Sequence, residues 1–119
     1  MKNMTEDQVR DYANSILEFV NTETVSAGVG QITTFNHLGF KGVSDKPDGW
    51  YLPNNVVFPA IILEVKSTKT ELKDKHIEEL FKNCTITQTK YKDVLGILYN
   101  GVEIRVFKNN KEIEANNIL

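Results

Sequence analysis

Asp48, Glu64 and Lys66 are the residues whose types and spacing suit chemistry. Asp48 follows the turn-forming Pro47 in Lys46-Pro47-Asp48-Gly49-Trp50-Tyr51-Leu52. Glu64 and Lys66 stand two residues apart at the end of Ala60-Ile61-Ile62-Leu63-Glu64-Val65-Lys66. This second run is apolar enough to read as a buried strand. Side chains at i and i+2 of a strand share one face, about 7 Å apart. Glu64 and Lys66 therefore project together with Ala60 and Ile62, while Ile61, Leu63 and Val65 face the other way. Charges placed there are costly unless they are paired or hold an ion.

Two carboxylates and a carbonyl make a hard, oxygen-rich donor set of the kind that takes Mg²⁺ or Mn²⁺. Asp48 and Glu64 come from different strands and can converge on one ion. The backbone carbonyl of Val65, between Glu64 and Lys66, is the third candidate ligand. Such an ion polarises a phosphodiester and acidifies a bound water. Lys66 would orient that water or offset charge in the transition state. Its ammonium would stay charged beside the carboxylates despite partial desolvation.

The elements that must position these residues are legible in outline. Thr5 to Val20 reads as an amphipathic helix, with Thr5 and Gln8 in a capping-box pattern. Its apolar stripe is Val9, Tyr12, Ala13, Ile16, Leu17 and Val20. Residues 21–30, with Ser26, Gly28 and Gly30, read as a loop. Gln31–Phe35 and Gly39–Val43 are candidate strands, Gly49–Leu52 is a short strand, and Pro53-Asn54-Asn55 is a turn. Ala60–Lys66 is the best-marked strand. Thr68 with Glu71 repeats the capping-box pattern and predicts a helix start. Leu72, Ile77, Leu80, Phe81, Cys84, Gln88 and Tyr91 follow at helical spacing. Asn100-Gly101 between the runs Val94–Tyr99 and Val102–Phe107 predicts a hairpin, and the tail from Asn109 is polar. Helix, two or three strands, helix and hairpin make a sheet with helices packed on it.

The 119 residues suffice for one domain with one core. No apolar run approaches the roughly 20 residues of a membrane span, and Met1–Asp7 lacks the apolar core of a signal peptide. The single cysteine, Cys84, has no disulfide partner within the chain, and no Cys/His metal spacing occurs. A cytoplasmic location is expected. Net charge is −2, so the domain has no strong general attraction for nucleic acid. Residues 1–40 hold two cations against five acids, whereas residues 41–92 hold nine lysines against seven acids. That modest basic bias surrounds the motif and suits a phosphate ligand.

Pro47-Asp48 followed by Glu64-Val65-Lys66 resembles the signature of the PD-(D/E)xK nuclease superfamily. Thr5-Glu6-Asp7-Gln8-Val9-Arg10, with a Glu four residues before an Arg, resembles the first-helix motif of type I restriction enzyme R-subunit N-terminal domains. Gln88-Thr89-Lys90-Tyr91 resembles their Gln…Tyr motif, at a spacing of three rather than four. Leu95-Gly96-Ile97-Leu98-Tyr99-Asn100-Gly101 resembles their strand-and-turn ending in Asn-Gly. The resemblance spans about residues 5–107. It implies a single nuclease-like domain over residues 1–119 with a restriction-endonuclease-like α/β core (helix, three strands, helix, strand) and a C-terminal hairpin. It further implies that Asp48 and Glu64 are metal ligands, that Lys66 is the catalytic lysine and that Glu6 sits at the site's edge. Gln88 and Tyr91 would assist catalysis or bind DNA.

The implied activity is Mg²⁺-dependent (or Mn²⁺-dependent) endonucleolytic hydrolysis of DNA, as the nuclease module of a restriction or defence system. The implied partners are DNA and a larger restriction complex or further subunits, with no membrane. No P-loop pattern occurs, so the chain is not a complete type I translocating subunit. Two alternatives stand beside this reading: a non-catalytic nucleic-acid-binding or assembly module on a nuclease fold, and a repair or junction nuclease acting as a homodimer. Bland roles compete for single residues. Glu6 would complement the helix dipole, Arg10 would pair with Glu6, and Gln88 would bond a backbone group. Cys84 and Trp50 would pack in the core, and His37 and His76 would be surface or capping residues. The lysines at 69, 73, 75, 82, 90 and 92 would be mostly a solvated face.

Overall fold

A computed structural model describes residues 3–114. Among these residues the element order is α1 (Glu6–Leu17), β1 (Val25–Val29), β2 (Gly49–Pro53), β3 (Ala60–Val65), α2 (Asp74–Thr87), β4 (Val94–Tyr99), β5 (Ile104–Lys108) and β6 (Lys111–Ile113). The six strands form one mixed sheet in sequence order. Only β3 and β4 run parallel, joined by the crossover through α2; every other neighbouring pair is antiparallel. The polar tail read from Asn109 to Leu119 is described as far as Glu114, and Ile118-Leu119 lies outside the described residues. No helix among the described residues is long and apolar enough to cross a membrane.

Strand alternation divides the core as the pattern in β3 requires. Ala60 and Ile62 face α2 and pack with Leu80, Cys84, Leu98 and Phe107. Leu63 and Val65 face α1 and pack with Val9, Ala13, Ile97 and Val106. Each fully buried aliphatic side chain contributes about 1.5–3 kcal/mol. Two close approaches demand glycine. A Cβ on Gly49 would lie 2.9 Å from Leu63 Cβ, its partner across β2 and β3, and a Cβ on Gly96 would lie 2.9 Å from Cys84 Sγ. Trp50 and Cys84 are core residues, as the bland reading held.

Several expectations from the sequence are corrected. Residues 21–30 contain the edge strand β1, not only a loop: Gly28 pairs with Trp50, whose indole lies where a Cβ would be, 2.8 Å away. Here glycine makes room for an aromatic across the ladder instead of breaking the strand. Gln31–Phe35 and Gly39–Val43 are not strands. They belong to a turn-rich connection pinned by Phe35 N–H to Asp45 O (2.9 Å) and Asn36 N–H to Val43 O (2.8 Å). Phe35 and Phe40 pack edge to face in the α2-side core, 5.5 Å between centroids.

Helix α1 stops at Leu17. Glu18 adopts the left-handed conformation (φ 54°), and the Asn14 side chain accepts the Phe19 N–H at 3.0 Å. Phe19 is buried instead of Val20, and Tyr12 and Ile16 are exposed. Thr68 does not start α2, because its hydroxyl accepts the Met4 N–H at 2.7 Å and ties down the chain before α1. The helix begins at Asp74, after His76 Nδ1 accepts the Lys73 N–H at 3.0 Å. It then runs through the β-branched residues to Thr87, whose hydroxyl donates to Asn83 O. The Asn100-Gly101 hairpin forms, but Asn100 holds a longer turn by accepting the Val102 and Glu103 N–H groups, and β5 starts at Ile104. A further hairpin into β6 turns on Asn109 and Asn110, both at positive φ.

Candidate functional site

The site lies where β2 begins and β3 ends. Antiparallel pairing sets Gly49 opposite Leu63, so the residue before one lies beside the residue after the other: Asp48 meets Glu64. Asp48 Oδ2 accepts the Val65 N–H at 3.0 Å. A residue's N–H and C=O point to the same strand edge, so the Val65 carbonyl opens toward Asp48 as well. Asp48 Oδ1 accepts from Arg10 Nη2 at 2.7 Å, and Arg10 Nη1 donates to Asp7 at 2.7 Å. Arg10 thus reaches from the buried face of α1 to the sheet and does not pair with Glu6, as expected from the i, i+4 spacing. Its planar fork suits two carboxylates at once. Hydrogen bonds and charge from Asp48 and Asp7 outweigh its burial and keep its pKa above the ordinary value.

Glu64 is 4% exposed, yet its Oε1 has no hydrogen-bond partner among the described residues. Its Oε2 stands 3.8 Å from Lys66 Nζ. Burial, and next the charge of Asp48, push the Glu64 carboxyl up to about 10. The buried carboxylate is therefore without adequate charge compensation from the chain, and it holds a proton at neutral pH. Lys66 Nζ donates to Glu79 Oε2 at 3.1 Å. Burial would lower the Lys66 pKa, but the Glu79 hydrogen bond and the charges of Glu64, Glu79 and Glu6 raise it. Burial would likewise raise Glu79, but hydrogen bonds from Glu64 and Lys66 hold it below the usual carboxylate range.

The expected residues fall into two groups. Asp48, Glu64, Val65 and Lys66 come together, and Glu6, the exposed first residue of α1, stands at the rim. There it lines a hollow with Thr5, Ser67 and Lys69, and its charge acts on Lys66. Gln88 and Tyr91 are elsewhere. Gln88 is the C-cap of α2, and Tyr91 lies beyond the helix with its hydroxyl donating to Pro53 O at 2.6 Å. Pro53 ends β2 and Val94 pairs with Ala60. Both therefore mark the end of the sheet opposite Glu64, roughly 13 Å away along β3. Tyr91 is a core residue there.

Glu79 was not anticipated. Its signal is faint: it sits among charged residues but borders the buried positions His76, Leu80 and Asn83 of α2. His76 is buried rather than on the surface, and it caps α2, with the Lys66 and Lys75 charges near enough to help burial lower its pKa.

Among the described residues, no three Asp, Glu, His or Cys side chains gather to hold a metal ion. The oxygen set nevertheless fits a hard divalent cation. Glu64 Oε1 is buried and has no hydrogen-bond partner among the described residues, and Asp48 keeps free lone pairs because each of its oxygens accepts one hydrogen bond from the described residues. The fold and site together define a small mixed α/β domain with a carboxylate–lysine centre at the ends of two strands. No family model matches the chain, and no curated protein and no solved structure matches it.

Proposed function

We propose that this domain is a metal-dependent DNA endonuclease module of the restriction-endonuclease-like fold, working within a restriction or defence complex. The element order of helix, three strands, helix and strand agrees with that core. One observation carries the reading: Asp48 is brought beside Glu64, whose buried Oε1 has no partner among the described residues. Asp48, Glu64 and the Val65 carbonyl would hold Mg²⁺ or Mn²⁺. The ion, when bound, supplies Lewis acidity that polarises a phosphodiester and acidifies water.

The chain's own residues do the rest. Arg10 fixes the Asp48 carboxylate and offsets part of its charge. Lys66, fully charged, faces the carboxylates and presents its remaining donors to the phosphate or the attacking water. Glu6 stands at the rim with Lys69, and the exposed Lys46, Lys73 and Lys75 flank the motif in sequence as phosphate contacts.

A plasmid-cleavage assay with Mg²⁺, Mn²⁺ and EDTA arms tests this, run beside Asp48→Ala and Lys66→Ala. Metal-dependent nicking lost in both variants is expected. Cleavage that survives both substitutions would refute the assignment. A second reading, a non-catalytic binding or assembly module, is favoured by Asp48 having both oxygens bonded within the protein. In that case wild type neither cleaves nor gains thermal stability with Mn²⁺.

A further inference from the structure

Strand geometry gives Lys66 one neighbour, and the fold gives it another. Lys66 follows Glu64 by two residues, so the local pattern pairs the two on one face. The ammonium instead stops 3.8 Å from Glu64 Oε2, beyond hydrogen-bond reach, and donates to Glu79 Oε2 at 3.1 Å. Among the described residues this is the one hydrogen bond that the ammonium makes. Both backbones are fixed. Lys66 N–H donates to Tyr99 O at 2.9 Å, which holds the residue to the end of β4. Glu79 stands in α2 between His76, buried and bonded to the N-cap residue, and Leu80, fully buried in the core. A contact between two such elements is set by the fold and not by the surface.

We propose that Glu79 is the positioning residue of this centre: from α2 it holds the Lys66 ammonium in place beside the carboxylates of the two strands, and it acts through Lys66 alone. The hold rests on the contacts just described; its effect on cleavage rests on the nuclease reading above.

A lysine side chain carries about 2 kcal/mol of rotamer entropy, so an ammonium with no acceptor samples many positions. Glu79 takes one of its three donors and leaves two for a phosphate or a water. On the nuclease reading Glu64 is committed to a cation, and Glu79 is then the carboxylate left to hold Lys66. The plain alternative is a surface ion pair, which contributes little to anything. Glu78 supplies the control. It is exposed, adjacent to Glu79 and equally charged, and it makes no hydrogen bond or ion pair with Lys66.

Nitrogen-15 relaxation of the lysine ammonium groups, measured at pH 6 in EDTA, reads the hold without metal, substrate or cleavage. Lys66 is expected to be ordered in wild type and in Glu78→Gln, and in Glu79→Gln to be as mobile as the exposed Lys75. Plasmid nicking with kcat and KM separated reads the consequence. In Glu79→Gln kcat should fall roughly 10- to 100-fold with KM unchanged, and in Glu78→Gln neither should move. Lys66 as ordered in Glu79→Gln as in wild type, an equal loss of order in Glu78→Gln, or full kcat in Glu79→Gln beside an active wild type would overturn the proposal. A wild type inactive with every metal, in which Lys66 still loses order only through Glu79→Gln, would sink the nuclease reading and leave the hold standing. If Glu79→Gln fails to fold by circular dichroism, Glu79→Asp, which keeps the charge and draws the carboxylate back by one methylene, carries the same test.

Discussion

Glu64→Gln is expected to stabilise the protein in the absence of metal. The wild-type carboxyl titrates at about 10 in the folded chain and at 4.5 when unperturbed. Between those values the folded state holds a proton that the unfolded state has released, so stability falls as pH rises. The contribution is intact below 4.5 and is lost progressively as pH climbs through the folded value. Each pH unit costs about 1.4 kcal/mol, giving about 3 kcal/mol at pH 7. Glutamine removes the titration and keeps the shape, and its amide can donate to the flanking Asp48 and Glu79. Urea unfolding in EDTA, followed by circular dichroism, reads the difference; about 3 kcal/mol moves the midpoint by roughly 1–2 M. The signature is the slope: the advantage of the variant nears zero at pH 5 and grows toward pH 9. At pH 7, with Mn²⁺ at one thousand times Kd, the order reverses, because only wild type gains binding energy, about 4.1 kcal/mol. A difference that does not change with pH, or a variant less stable than wild type at pH 8 in EDTA, would refute the reasoning.

Other outcomes follow from the same contacts. Arg10→Met leaves Asp48 and Asp7 without their shared cation and is expected to destabilise by about 3 kcal/mol, since breaking a buried pair strands a charge. Mn²⁺ titration of the folded variant should show weaker binding, because Asp48 is no longer held. Tyr91→Phe removes one hydrogen bond to Pro53 O and is expected to cost about 1 kcal/mol in urea unfolding, with plasmid cleavage unchanged; a large loss of cleavage would place Tyr91 at the site after all. His76 has a pKa lowered by burial and nearby lysines, so the folded chain resists a proton that the unfolded chain accepts. Stability from this group is present above about 6.5 and declines as pH falls below it. The stability difference between wild type and His76→Gln should therefore shrink between pH 6.5 and 5.

What could be read from the residues, and what could not, divides by the range of the signal. The face alternation of β3 is local, and Ala60, Ile62 and Glu64 indeed lie on the side opposite Leu63 and Val65. The Thr5–Gln8 capping box is local and forms, with Thr5 N–H donating to the Gln8 side chain. Thr68-x-x-Glu71 is an equally good local pattern, but a hydrogen bond to Met4, 64 residues away, takes the hydroxyl. Gly28 reads as a breaker until Trp50 lies over it. Gln88 and Tyr91 stand on a helical period with Cys84, but α2 ends between them, and its last turn points to the wrong end of the sheet. Arg10 had a visible candidate partner four residues back and took Asp48 instead, 38 residues on. At Thr68, Gly28 and Arg10 a long-range contact overrides a short-range preference.

The same contrast explains why this centre looks costly as pure structure. A buried ion pair adds little stability compared with a well-packed apolar pair. Here Glu64 is not even paired well: its ammonium is 3.8 Å away and bonded to Glu79 at 3.1 Å instead. Ile62, two residues earlier on the same face, shows what packing alone would select, for it is fully buried among Leu80, Cys84 and Leu98. A leucine at position 64 would continue that surface at no electrostatic cost. Marginally stable domains lose a large share of their stability to a single unpaired buried charge. On the metal-dependent reading proposed above, a cation would complete the carboxylate, the arginine that fixes its neighbour and the lysine drawn toward the helix, and that would offset a cost that folding alone does not repay.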